Sequence, residues 1–240
     1  MKLPLLAFFI LLLSSGAGAQ TVDALGTFTP YSLFGIGEIE KQGSAMNNGM
    51  GGIGVAVRNN RFINYLNPAS ITERDTLSFM MDVGMDIKNF YNKDNDVSSA
   101  YNAFNMRNIV ITLPIYKKSA LILGFVPISN IGYKFASSET DPLIVSKYGD
   151  IKYYKYGSGS VNKLFVGGAL NIGKKLAVGV ELIDYFGTLY KHSDVEFSSD
   201  NTIRTIVSGN DYTISAFSAK FGAQFFTPFA NDKYLLTLGA

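Results

Sequence analysis

Between Thr76 and Lys88 the apolar residues Leu77, Phe79, Met81, Val83, Met85 and Ile87 alternate with Thr76, Ser78, Met80, Asp82, Gly84, Asp86 and Lys88. A period of two places the first set on one side of an extended strand and the small or polar set on the other. The run exceeds the roughly five or six residues of an ordinary globular strand and suits a strand tilted across a bilayer, which needs about 9–11. The pattern returns at Leu176–Tyr190, where Leu176, Val178, Val180, Leu182 and Phe186 oppose Ala177, Gly179, Glu181, Tyr185 and Gly187. It returns again within Tyr212–Thr227, where Phe217, Ala219, Phe221, Ala223 and Phe225 oppose Ser218, Lys220, Gly222 and Gln224. Further strands are predicted at Phe104–Ile115, Ser119–Phe135 and Ser158–Gly173, and another begins at Tyr234.

The connections predicted between these strands alternate in length. Asn89–Ala103, Ala136–Gly157 and Lys191–Asp211 read as long polar loops, whereas Tyr116–Lys118, Lys174–Lys175 and Pro228–Lys233 read as short turns. Long connections on one side and short ones on the other mark outer-membrane barrels, with the short turns periplasmic. The fold class expected is therefore all-β, a transmembrane antiparallel β-barrel. Such barrels have even strand numbers of about 8 or more, so the expectation is that this sequence covers part of a larger barrel. Phe90, Tyr91, Tyr116, Tyr133, Phe135, Tyr190, Phe226 and Phe229 fall near strand ends. They fit interfacial girdles, although aromatic residues are common in strands generally.

The N-terminus reads as an export signal over residues 1–19. Lys2 gives the positive region, Leu3 to Leu13 the apolar stretch, and Ala17-Gly18-Ala19 a small-residue cleavage site before Gln20. Residues 20–72 lack strand alternation and are expected to form a small N-terminal hatch or plug, with residues 73–240 as barrel wall. The cell outer membrane of a Gram-negative bacterium is the expected location, and outer-membrane lipid an expected partner. The chain has no cysteine, which excludes a lipid-modified cysteine anchor, disulfides, thiolate metal sites and a cysteine nucleophile. A net charge of +2, scattered along the chain, gives no footprint for nucleic acid.

Motifs that carry chemistry are scarce. Gly49-Met50-Gly51-Gly52-Ile53-Gly54 matches G-x-G-x-x-G literally but lacks the strand before and the helix after that a dinucleotide site needs, so it reads as a close-packed turn. Asp94-Asn95-Asp96 reads as a solvated loop tip, not a complete calcium loop. His192, the only histidine, has no evident partner in the sequence. No enzyme activity, catalytic residue, metal site or cofactor is expected.

Three segments carry a family resemblance: Thr29 to Glu38, Gly49 to Ala56, and Asn64-Tyr65-Leu66-Asn67-Pro68-Ala69-Ser70. A glycine-rich stretch leading to Asn-Pro-Ala just before the first barrel strand resembles the FadL/TodX family of outer-membrane transporters for long-chain fatty acids and hydrocarbons. The stretch Gly157 to Gly187 also looks like FadL-like proteins. The resemblance implies about 14 strands, of which about seven lie here, closed around an N-terminal hatch. It implies passive uptake of hydrophobic small molecules, with lateral exit at a kinked third strand next to the Asn-Pro-Ala hatch residues. Asn67, Pro68 and Ala69 become candidate gating residues, although Asn-Pro also readily starts a turn. In the third predicted strand Pro127 lacks a ladder donor and should break pairing, and Ile122, Val126 and Ile128 give an apolar track on the inward parity. Leu121, Leu123, Phe125, Ile131, Tyr133 and Phe135 are expected to face lipid together. Arg58 and Arg61 are cations that could meet a carboxylate headgroup, or simply be solvated. A general porin, a barrel resembling PorV of type IX secretion, and a surface lipase are the alternatives; the last lacks a catalytic set.

Overall fold

A computed structural model describes residues 25–73, 78–94, 97–116, 118–197, 205–229, 231 and 233–240. The expected export signal, and Thr76 and Leu77 of the first predicted strand, lie outside the described residues. Strand accounts for 65% of the molecule, arranged as an antiparallel curled half-barrel. Among the described residues no helix is long and apolar enough to cross a membrane.

After the two-residue strand β1 (Glu38–Ile39), the wall is formed by β2 (Met80–Asp94), β3 (Val97–Tyr116), β4 (Ser119–Ser138), β5 (Ile151–Ile172), β6 (Leu176–Phe197), β7 (Ile206–Phe229) and β8 (Tyr234–Gly239). They pair in sequence order from β2 to β8, and β1 pairs with β4. All the strands anticipated from alternation are present. The predicted long loops, however, are largely strand: β2 and β3 pair as far as Asp94 and Val97, and β5 and β6 as far as Ile151 and Phe197. The ladder continues because backbone pairing does not need an apolar face. Alternation fades there because water can wet both sides. Between β4 and β5 the connection instead holds a short helix, α1 (Pro142–Tyr148), capped by Asp141.

Parity divides the wall into two faces. Phe79, Met81, Val83, Met85 and Ile87 are exposed on the convex side, with Asp82 and Asp86 on the other. Val110, Ala120, Ile122, Val126, Phe165, Ala169 and Ile183 point to the concave side and form a buried cluster with Ile63, Tyr65 and Ile71.

One expectation about β4 is corrected. Pairing with β5 slips between Pro127 and Ser129, leaving Ile128 as an extra residue. A single inserted residue exchanges the two faces of everything beyond it. Leu121 and Leu123 do face outward, but Ile131 and Tyr133 are buried on the concave side with Val161 and Leu189.

Residues 25–73 pack against that concave side. A 3-10 turn, Pro30–Leu33, is capped by Thr29 and rests on β4. A helical turn, Ala45–Gly49, carries a reciprocal capping box between Ser44 and Asn47. A second 3-10 turn, Pro68–Thr72, is capped by Asn67 and rests on β5, β6 and β7. Glu40 meets Lys88 on β2, while the Val55 carbonyl lies against Gly239 on β8. A short segment touches both ends of a curled sheet in this way only from inside the curl.

Candidate functional site

The wall is split between β3 and β4. Their ladder runs from Tyr116 and Ser119 to Ile109 and Phe125, and stops. Two bulges face each other just beyond the last pair: Arg107 is the extra residue of β3 against β2, and Ile128 the extra residue of β4 against β5. A bulge bends its strand and adds twist, so opposed bulges make neighbours diverge. From here outward β3 keeps only β2, and β4 keeps only β5 and the short β1.

The N-terminal segment fills the split. Glu38 and Ile39 pair with Asn130 and Ser129 on the edge of β4. The Glu40 amide donates to the Ile128 carbonyl at 2.8 Å, and the Thr29 amide to the Gly132 carbonyl at 3.0 Å. Gln42 Nε2 donates to the Pro127 carbonyl at 3.1 Å, so the bulge does not leave that oxygen bare. On the β3 side Asn105 donates to the Gly26 carbonyl, and Arg107 Nη2 to the Lys41 carbonyl at 3.3 Å. Charge reinforces the seam: Lys88 Nζ lies 2.6 Å from Glu40 Oε1 and 3.7 Å from Glu38 Oε1, and Asn130 donates to Glu40 at 2.8 Å. The Thr27 hydroxyl donates to Glu38. Between Arg107 and Pro127 only a narrow crevice of about 10 Å³ remains.

The candidate residues separate into two places. Pro127 and Ile128 form the β4 bulge itself, and Ile122 and Val126 lie just before it, each 1% exposed on the concave side. Asn67, Pro68 and Ala69 sit elsewhere, against β6 and β7. Asn67 Nδ2 donates to the carbonyls of Val55, Ala223 and Ala240, and its Oδ1 accepts from the Ala69 amide at 2.9 Å. The side chain that bonds the Pro127 carbonyl is Gln42, which carried no signal in the sequence beyond its polarity.

Arg58 is committed to structure. Its guanidinium bonds Glu73, Thr72 and Gln224, and it stacks 3.9 Å from the centre of the Phe226 ring. Arg61 takes part through its amide, which donates to Asn59 Oδ1. The lone histidine has a partner after all: His192 Nε2 is 3.0 Å from Asp211 Oδ1, and its ring stacks on Tyr156. Asn95 and Asp96 lie outside the described residues. Among those described, no group of acidic or histidine side chains could hold a metal.

Further in, Glu181 is buried on β6 and pairs with Lys220 Nζ at 2.9 Å. Lys220 also donates to the Tyr65 carbonyl at 2.8 Å, which ties the N-terminal segment to β7. Lys163 stands over the rings of Tyr65 and Phe165. Burial pushes the Tyr65 phenol up to about 12, so it stays neutral.

With this geometry in view, the comparison that decides the family is a match of the BamG family model to residues 1–240. The chain belongs to the BamG family. No curated protein and no solved structure matches it. In this BamG-family chain the residues that sequence reasoning missed are those that seat the N-terminal segment. Glu38, Glu40 and Gln42 lie in a stretch without periodicity. Gly179 and Gly222 did carry a signal, because a glycine on the inward parity of a strand often marks a close backbone approach.

Proposed function

We propose that the chain forms the wall of an outer-membrane β-barrel with an N-terminal hatch, and that it works as an accessory barrel associated with the BAM complex. The family is related to that complex, which supports the association. The observation that carries the membrane reading is the slant of the apolar stripe. On β2 the stripe runs from Phe79 to Ile87, centred on Val83, and on β7 from Phe217 to Phe229, centred on Ala223. Val83 lies in register with Phe217 through Ile109, Phe125, Leu164 and Asp184. The stripe therefore slides by about six residues, roughly 20 Å, across five strand spacings of roughly 24 Å. That corresponds to a tilt of about 40°, within the range of about 35–45° for membrane barrels. A soluble sheet has no reason to keep its exposed apolar residues on a plane oblique to its strands.

The concave side is filled by residues 25–73, which speaks against a general porin and leaves the convex wall as the surface on which partners act. Two experiments address the reading. Photo-crosslinkers at Met81 and Phe221 in native membranes are expected to label lipid, and the chain is expected to co-purify with BAM complex components. A chain fractionating with soluble proteins would remove the membrane reading, and a membrane-embedded chain free of BAM components would remove the association.

A second reading, passive uptake of hydrophobic small molecules with lateral exit, is favoured by one observation. The buried track of Ile122 and Val126 ends at the split beyond Phe125. Cells carrying the chain should then take up a labelled long-chain fatty acid faster than cells lacking it, and equal rates would dismiss the idea. Release of protein cargo, as in a PorV-like barrel, would use the same split.

A further inference from the structure

Three short turns close one rim of the wall, and each brings lysine: Tyr116-Lys117-Lys118, Gly173-Lys174-Lys175 and Asn231-Asp232-Lys233. Five lysines stand there against one aspartate, so this rim carries a clear excess of positive charge. The opposite rim does not, because Lys93 is followed by Asp94 at the β2–β3 tip and Lys147 lies among Glu139, Asp141 and Asp150 between β4 and β5. Lys118, Lys174, Lys175 and Lys233 are exposed, and among the described residues no carboxylate pairs with them. The first two turns are neighbours: the Asn171 amide donates to the Lys118 carbonyl at 3.0 Å, three residues before Lys174.

Their level points to the ligand. Ser119 lies in register with Leu170 on β5 and Val178 on β6, so the β5–β6 turn sits about two to three residues lower along the strands than the β3–β4 turn, two strand spacings away. The apolar stripe slides by the same amount over two spacings, so Lys118, Lys174 and Lys175 share a plane parallel to it. Along the barrel axis that plane is roughly 10–13 Å from the middle of the stripe, at the border of an apolar band about 25 Å tall. Immediately inside it the exposed side chains are Leu121 and Leu123 on β4 and Leu170 and Ile172 on β5, where acyl chains would lie. An acidic protein has no need of lysines coplanar with an apolar band, whereas a leaflet places its phosphates at that border. We propose that the lysines of the short turns hold the phosphates of anionic phospholipids in the periplasmic leaflet. A zwitterionic headgroup, whose own cation offsets its phosphate, is held less well. The inference rests on the membrane reading above, with short turns on the periplasmic side.

The test reconstitutes the full chain in phosphatidylcholine bilayers with a trace of spin-labelled phosphatidylglycerol or of spin-labelled phosphatidylcholine bearing the same acyl chains. Electron paramagnetic resonance then measures the fraction of each lipid held against the wall. Phosphatidylglycerol is expected to associate about threefold more strongly or better, and high salt should shrink the preference by screening. Replacing the three lysines together, Lys118→Asn, Lys174→Gln and Lys175→Gln, should bring the two lipids level; asparagine tolerates the φ of 70° at Lys118. Should that variant fail to assemble, Lys174→Gln with Lys175→Gln should at least halve the preference. Lys93→Gln and Lys147→Gln on the opposite rim should leave it intact. Equal association in the wild type, or a preference indifferent to the turn variants, overturns the proposal. So does a photo-crosslinker at position 174 that labels only protein in native membranes. A wild type that holds neither lipid removes the membrane reading and this proposal with it, whereas lipid held without preference removes the proposal alone.

Discussion

A methyl group on Gly179 would stand 2.7 Å from the carbonyl carbon of Pro68, so the Asn67–Ala69 turn rides directly on the wall of β6. Its register partner on β7, Gly222, leaves the matching space beside Asn67. Gly179→Ala should therefore unseat the turn, because the atoms in the way are backbone and cannot rotate aside. The expected loss is about 1–3 kcal/mol, the usual cost of overpacking. Proteolysis within residues 25–73 should report it as faster cleavage while the wall persists. Unchanged protection would show that the turn can shift.

Orientation is open to a paired substitution. Met81 is exposed on the stripe and Asp82 points inward, where Asn108 donates to it at 3.0 Å. Met81→Arg should cost about 2–4 kcal/mol in a bilayer near its midplane, and Asp82→Arg distinctly less. Reversible unfolding in liposomes measures both, and the reverse order would turn the wall inside out.

The seam across the split depends on Lys88. Replacing it by alanine leaves Glu38 and Glu40 facing each other without a cation, although partial exposure holds the expected loss to about 1 kcal/mol. Hydrogen exchange should rise at residues 37–42 and stay unchanged in β5 and β6. Uniform exchange throughout would mean that backbone pairing alone holds the seam.

Arg58 should resist conservative replacement. Its planar fork reaches Glu73, Thr72 and Gln224 while its face covers Phe226, and lysine can neither branch nor stack in that way. Arg58→Lys is expected to destabilise the 25–73 segment by about 2 kcal/mol or more, as a buried polar network loses partners. A thermal melt matching the wild type would contradict this.

Acid should loosen the outer cap between β4 and β5. Amide hydrogen bonds from Asp141 and Thr140 and the Tyr153 hydroxyl hold the Glu139 carboxyl below its ordinary range. A depressed carboxyl contributes fully above its unfolded value and loses that contribution as pH falls through its folded value. Protection of the amides around residues 139–153, taken relative to their intrinsic exchange rates at each pH, should thus fall as pH drops below the ordinary glutamate range in the wild type and stay level in Glu139→Gln.

The strands were legible because an apolar convex face and packing on the concave one impose strict alternation, as in Thr76–Lys88 and Leu176–Tyr190. Their length was not. Past Ile87, or past Tyr190, pairing continues while the convex side turns polar, and the sequence stops alternating although the backbone stays extended. Pro127 announced the break in pairing, since a proline cannot serve an interior ladder. What it did not announce was the change of face at Ile128, because a bulge is a matter of register against β5, and so Ile131 and Tyr133 were placed on the wrong side. The seating of the N-terminal segment was least visible. Asn67-Pro68-Ala69 stood out as a turn, but the glycines beneath it lie more than a hundred residues away.

Those distances along the chain bear on how the molecule is made. Ser32 bonds Gly132 across 100 residues, Arg58 bonds Gln224 across 166, and Asn67 bonds Ala240 across 173. Each contact carries the loop-closure cost of a long intervening chain, and topologies dominated by such contacts fold slowly. The hairpins from β2 to β7, by contrast, join near neighbours. The Pro30–Leu33 turn and β1 can settle once β4 has formed, whereas the Pro68–Thr72 turn has its full seat only when β5, β6 and β7 have paired, so one short segment is fixed in two stages.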